Sequence, residues 1–125
     1  MQSWALGFAA LAAALHLLFF LMESVLFDRP AVQRRFGVAP TEADAVRPWA
    51  LNQGFYNLFL SLAVIIGIGL WLTGRTHSGQ AVVLTGCMVM MGAGIVLACT
   101  DRRMRRAAAI QAVPPLLAVV LLVAG

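Results

Sequence analysis

The stretch WALNQGFYNLFLSLAVIIGIGLWL, residues 49–72, contains no charged side chain and carries a tryptophan at or near each end. A helix of this length can cross about 30 Å of hydrocarbon, which takes roughly 20 apolar residues. Tryptophan is enriched at membrane–water interfaces, where its amphipathic ring lies at the level of the headgroups. The stretch therefore predicts a transmembrane helix.

Three further apolar runs, residues 4–27, 79–99 and 107–124, have a similar length and composition. Hydrophobic residues make up 62% of the chain and charged residues only 11%, whereas an average soluble domain is about 25% charged. The first run is longer than the roughly 7 to 15 apolar residues of a signal peptide, so we expect it to be retained. These observations predict an all-α polytopic membrane protein, in which residues 1–125 form a single domain of four transmembrane helices in an up-down-up-down bundle.

The distribution of arginine predicts the orientation of this bundle. All nine basic residues are arginines: four lie in segment 28–48, four lie in segment 100–106, and segment 73–78 contains only Arg75. Short loops rich in basic residues stay in the cytoplasm, so we expect the two arginine-rich loops to be cytoplasmic and both termini to lie outside the inner membrane. Because these arginines separate apolar runs, the net charge of +4 indicates membrane topology and not nucleic-acid binding.

Polar side chains within the predicted spans need an explanation, because each is costly in hydrocarbon unless it is paired or hydrated. They are His16, Glu23, Asn52, Gln53, Tyr56, Asn57 and Gln111. His16 and Glu23 are seven residues apart, so a regular helix would place them on one face with a rotation of only about 20° between them. The polar residues that open the second span fall within an arc of roughly 140°.

These side chains also lie at similar depths along their helices. At 1.5 Å per residue, five of them lie between about 5 and about 16 Å from the predicted cytoplasmic ends. We therefore predict one polar cavity that opens to the cytoplasmic side. In the alternative interpretation, the amides only bond helix to helix, and Glu23 reaches water or pairs with Arg29 or Arg102.

The first loop is predicted to contain a short helix. Pro30 suits its first turn, Gly37 suits its end, and Val32 and Phe36 would share its apolar side. This pattern favours a segment that rests on the lipid surface, and a lid over a substrate is the alternative.

The pairing of His16 with Glu23, the run Asn52-Gln53-Gly54-Phe55-Tyr56-Asn57 and the segment Ile110-Gln111-Ala112-Val113-Pro114 resemble a known family, domain of unknown function 1304. The resemblance covers nearly the whole chain, and the run in the second span is its most specific part. Ala112 stands where the family pattern often has glycine. The resemblance implies a four-helix membrane protein with these signature polar residues, and it implies no activity.

Several functions suit such a site. In the first, the protein binds or converts a small amphiphilic molecule by isomerase- or hydratase-like chemistry, with Glu23 and His16 as the catalytic acid and base. The ligand-binding residues would be Asn52, Gln53, Tyr56, Asn57 and Gln111. The second function is a small proton-coupled exporter of amphiphilic compounds, and the third is a non-enzymatic accessory subunit.

We expect no cofactor and no metal. The sequence has no nucleotide, phosphate or redox-cofactor motif, and Cys87 and Cys99 are not part of a Cys-x-x-Cys pattern. A haem carrier would need a second axial ligand beside His16. The expected partners are the lipid bilayer and a small amphiphilic ligand, without nucleic acid, and the sequence leaves a homo-oligomer open.

Overall fold

The computed structural model describes residues 2–125, which are helical over most of their length and contain no strand. The elements in chain order are α1 (Gln2–Phe20), a π-helical turn (Leu21–Val25), α2 (Pro30–Arg35), a 3-10 turn (Pro40–Glu42), α3 (Ala43–Leu72), α4 (Thr76–Thr100), a second 3-10 turn (Arg102–Met104) and α5 (Arg105–Ala124). Four helical segments of this described part are long and apolar enough to cross a membrane. The predicted class, an all-α multi-pass membrane protein with four spans, is confirmed.

One helix extends beyond its apolar run. α3 begins at Ala43 and not at Trp49, so its first turns carry Asp44 and Arg47. Outside hydrocarbon these charged side chains stay hydrated, and the acidic side chain in the first turn interacts favourably with the helix dipole. Pro48 is tolerated here because it removes only one hydrogen bond close to the helix start.

The helices surround a core built largely from small side chains. α1 packs against α3 and α5, and α4 packs against the same two helices from the opposite side. α1 contributes a buried stripe of alanines to this core: Ala5, Ala9, Ala12 and Ala13. Small residues let helix backbones approach closely, which is a principal source of packing contacts between helices in a membrane.

Glycines make the contact between α3 and α4 closer still. A Cβ atom built on Gly67 would lie 2.9 Å from Val83 Cγ2, and one built on Gly86 would lie 2.6 Å from Val64 Cγ2. Neither position has room for a side chain, so the two helices depend on these glycines for their separation.

The predicted short helix in the first loop is present as α2. Its end has the Schellman pattern, in which Gly37 N–H donates to Arg34 O at 3.1 Å and Val38 N–H donates to Gln33 O at 2.9 Å. Gly37 has a φ of 68°, a conformation that glycine adopts without strain. The turn places Phe36 and Val38 over the end of the first span, next to the residues described below.

The last turn of the first span is π-helical. Leu26 N–H donates to Leu21 O at 2.8 Å, five residues back, instead of the four of a regular helix. Glu23 lies within this wider turn. The regular angular step from His16 therefore does not continue to Glu23.

Candidate functional site

A hydrogen bond between two of the predicted residues joins the first span to α3. Asn57 Nδ2–H donates to Glu23 Oε2 at 2.7 Å. Asn57 is only 4% exposed, so the bond satisfies an amide that would otherwise be buried without a partner. The pair brings a carboxyl group and an amide, 34 positions apart in sequence, into direct contact.

Gly54 allows the two helices to come this close. A Cβ atom built there would overlap the Ser24 hydroxyl and would lie 3.1 Å from Glu23 Cβ. Ser24 Oγ–H in turn donates to the backbone oxygen of Leu51 at 3.0 Å. The glycine in the polar run thus sets the distance between α3 and the π-helical turn that carries Glu23.

Glu23 lines three pockets, and the two with the greater volumes share part of their lining. The larger has a volume of about 490 Å³ and is lined by Glu23, Phe27, Phe36, Val38, Val46, Trp49, Ala50, Asn52 and Gln53. The smaller has a volume of about 240 Å³ and is lined by Phe19, Glu23, Phe36, Gln53, Asn57, Ala93, Leu97, Met104, Ala107 and Gln111. Because both pockets share Glu23, Phe36 and Gln53, the carboxyl group lies at their junction.

Five of the seven predicted polar residues therefore come together around these pockets. They are Glu23, Asn52, Gln53, Asn57 and Gln111. They come from the first, second and fourth spans, and the first span packs against both of the others.

The structure separates His16 and Tyr56 from this group. His16 is fully buried, its Nδ1 is 2.9 Å from Ala12 O within its own helix, and it lines neither pocket. Tyr56 is 60% exposed on the outer surface of the bundle, because one residue along a helix turns the side chain by about 100° from Asn57. The polar residues predicted on α3 thus span a wider arc than the face of the helix that points into the bundle.

The family comparison covers residues 10–123, a range that includes each of these polar residues. The matching model is described as "Protein of unknown function (DUF1304)". The chain belongs to the DUF1304 family. No curated protein and no solved structure matches it. The family description names no activity, so any function of this DUF1304 protein has to be argued from its own geometry.

Sequence reasoning missed the aromatic walls of the larger pocket. Phe27, Phe36 and Trp49 line it in this DUF1304 chain, although each was interpreted only as part of an apolar run, a lipid-facing helix or an interface. Phe27 is only 4% exposed, whereas an apolar residue at the end of a transmembrane run could equally well face lipid. The available signal was their position: all three flank the polar residues at the same end of the bundle.

Arg47 and Arg103, which lie in the two basic loops, form ion pairs with carboxylates. Arg47 forms an ion pair with Asp28, and Arg103 donates to Asp101. Hydrogen bonds from Arg103 hold the pKa of Asp101 below its usual range. In this DUF1304 protein, Arg47 lines the third pocket with Glu23 and Asp28, whereas no arginine lines either of the two larger ones.

The described part of the chain contains no cluster of side chains suited to binding a metal ion. Within residues 2–125, no group of three or more His, Cys, Asp or Glu side chains could hold a metal ion. What the arrangement offers chemically is one carboxyl group with amide neighbours in an apolar setting. A carboxyl group so placed can accept or donate a proton or act as the counter-ion of a bound charge.

Proposed function

We propose that this protein binds a small amphiphilic molecule at the Glu23–Asn57 pair and that Glu23 exchanges a proton with it. The observation that carries this proposal is the position of the hydrogen-bonded carboxyl group at the junction of two pockets. Ionisable groups within a transmembrane segment are costly, and they are retained chiefly where they serve binding or proton transfer. If position 23 served only to accept the hydrogen bond from Asn57, the amide of a glutamine would be sufficient.

The amides around Glu23 would orient the polar end of the molecule. Asn52, Gln53 and Gln111 each offer a donor and an acceptor, whereas the remaining lining is mostly apolar and suits a hydrocarbon portion. A carboxyl group that removes a proton at one carbon and returns it at another supports isomerase-like chemistry. One that removes a proton from carbon and donates it to the neighbouring hydroxyl, which leaves as water, supports hydratase-like chemistry. We assign this role to Glu23 and not to His16, which lines neither pocket.

The proposal can be tested by filling the larger pocket. Ala50 is 9% exposed and lines this pocket, so Ala50→Leu would place three more carbons where the molecule would bind. We expect the amount of the molecule that co-purifies in mild detergent to fall at least about fivefold, because overpacking costs about 1–3 kcal/mol. Extraction and mass spectrometry of the purified protein measure its occupancy.

Ala109→Leu is the matched control, because Ala109 is exposed on α5 and lines neither pocket. This variant should retain the bound molecule. Equal occupancy in wild type and in Ala50→Leu would contradict the proposal.

We also propose that the chain is one transmembrane domain whose consecutive helices alternate in direction. Contacts between the first and last helices support a single unit. The glycine contacts support alternation, since Gly67 meets Val83 whereas the earlier Val64 meets the later Gly86, as in antiparallel helices. With the arginine-rich loops in the cytoplasm, both termini lie outside and the pockets open near the cytoplasmic surface.

The two ends of α4 test this orientation. Ser78 and Thr100 are both exposed, so cysteines placed there should react with a membrane-impermeant maleimide whenever they face the reagent. We expect Ser78→Cys to be labelled in intact spheroplasts and Thr100→Cys only after permeabilisation. Cys99 is exposed and would be changed to Ser first, whereas Cys87 is buried and can stay. The reverse labelling pattern would invert the topology.

A further inference from the structure

We infer that the polar end of the bound molecule is a protonated amine, so that the ligand is a small cationic amphiphile. This inference rests on the proposed function and specifies its substrate class. The structural basis is a carboxyl group in a pocket with aromatic walls, where no basic side chain lines the pocket.

The charges of the side chains that line the two larger pockets favour a cationic ligand. Among the side chains that line the two pockets, all within the described residues 2–125, Glu23 is acidic and none is basic. Its Oε2 accepts from Asn57, and no hydrogen bond from residues 2–125 reaches its Oε1. An anionic headgroup would therefore meet a carboxyl group without a compensating cation, whereas an ammonium group would find its counter-ion.

The nearest basic groups do not change this preference. Arg47 lines the third and smallest of the pockets that Glu23 lines, but there it pairs with Asp28 and also with Asp44. Arg103 pairs with Asp101. Arg47 therefore has two carboxylate partners and Arg103 has one, so neither arginine offers an unpaired cation to an anionic ligand. The other loop arginines act through water, where salt screens charges over about 8 Å at physiological ionic strength.

The aromatic walls favour the same class of ligand. Phe27, Phe36 and Trp49 line the larger pocket with Glu23. The face of an aromatic ring carries negative charge and attracts an ammonium group, most strongly in tryptophan. The rings and the carboxyl group thus both attract an ammonium group. Neither would attract the anionic group of a fatty acid or a phosphate ester.

The remaining lining suits a short hydrocarbon chain. Val38, Val46 and Ala50 contribute only apolar surface, and a volume of about 490 Å³ lies within the range of roughly 300–1,000 Å³ for small-molecule sites. Trp49 is 78% exposed, so it forms the rim through which an amphiphile would pass from the membrane surface.

Three probes with one chain length and different headgroups test this inference. Octylamine is protonated at pH 7, as a lysine side chain is, whereas octanol is neutral and octanoate is negative. Calorimetric titration into protein-loaded nanodiscs, corrected with empty nanodiscs, gives the saturable binding of each probe. We expect octylamine to bind at least about tenfold more tightly than octanol, and octanoate to bind more weakly than either.

Two variants locate the preference. Glu23→Gln should reduce the ratio between octylamine and octanol to near one, and Trp49→Leu should reduce it about threefold. Glu42→Gln and Trp4→Leu, both at exposed positions that line neither pocket, should leave the ratio unchanged.

The outcomes separate this inference from the proposed function. Saturable octanol binding without a preference for octylamine, or a preference for octanoate, overturns the cationic ligand and leaves an amphiphile site in place. If none of the three probes binds in a saturable way, the proposed function fails as well.

Discussion

Glu23→Gln is expected to lower the affinity for the bound molecule by about tenfold to a hundredfold, which corresponds to the 1.5–3 kcal/mol of a hydrogen bond to a charged group. The substitution keeps the volume of the side chain and an oxygen that can still accept from Asn57 Nδ2–H. The substitution removes the capacity to carry charge and exchange a proton, and it replaces the second oxygen by an NH2 group. Mass spectrometry of co-purified molecules measures the binding, and thermal unfolding in detergent measures the fold.

Glu42→Gln provides the matched control, since Glu42 is the other glutamate of the chain and lies exposed at the start of α3. It should change neither occupancy nor unfolding. Full occupancy in Glu23→Gln would make the carboxyl group dispensable and would reduce Glu23 to a partner for Asn57. Unfolding of Glu23→Gln would instead give it a structural role.

Hydrophobicity predicted the spans because it reports which residues can lie in hydrocarbon. It did not predict the bounds of the helices, because a helix can extend beyond the hydrocarbon into the polar region. α3, for example, already begins at Ala43. The π-helical turn at Leu21–Val25 had no signal of its own, since neither proline nor glycine lies within it. Its position depends on packing between helices, which one sequence does not specify.

The site was predictable to the extent that depth and helical periodicity hold. Depth grouped Glu23 with Asn57 and Gln111, and the structure brings these residues to one pocket. Periodicity was less reliable, because a polar arc of roughly 140° on α3 included Tyr56, which the helix turns outward. The spacing from His16 to Glu23 assumed a regular helix, and the wider turn at Glu23 departs from it.

Gly79→Ala is expected to destabilise the bundle by about 3 kcal/mol, at the upper end of the usual range for overpacking. A Cβ atom built on Gly79 would overlap the Trp71 backbone nitrogen and would lie 2.6 Å from Gly67 O and 2.8 Å from Trp71 Cα. Backbone atoms cannot rotate away as a side chain can, so α4 has to move from α3. That movement also weakens the close contact of Gly67 with Val83.

The control for this prediction lies on the same helix. A Cβ atom built on Gly92 has nothing within 4 Å, so Gly92→Ala adds no collision and removes the helix penalty of glycine, about 0.5–1 kcal/mol. The two variants make the same chemical change and should shift unfolding in mixed micelles in opposite directions. Equal shifts would mean that the spacing of α3 and α4 does not depend on Gly79. Opposite shifts would show that the contact of Gly79 with the α3 backbone, which is remote from Glu23, determines the spacing of these two helices.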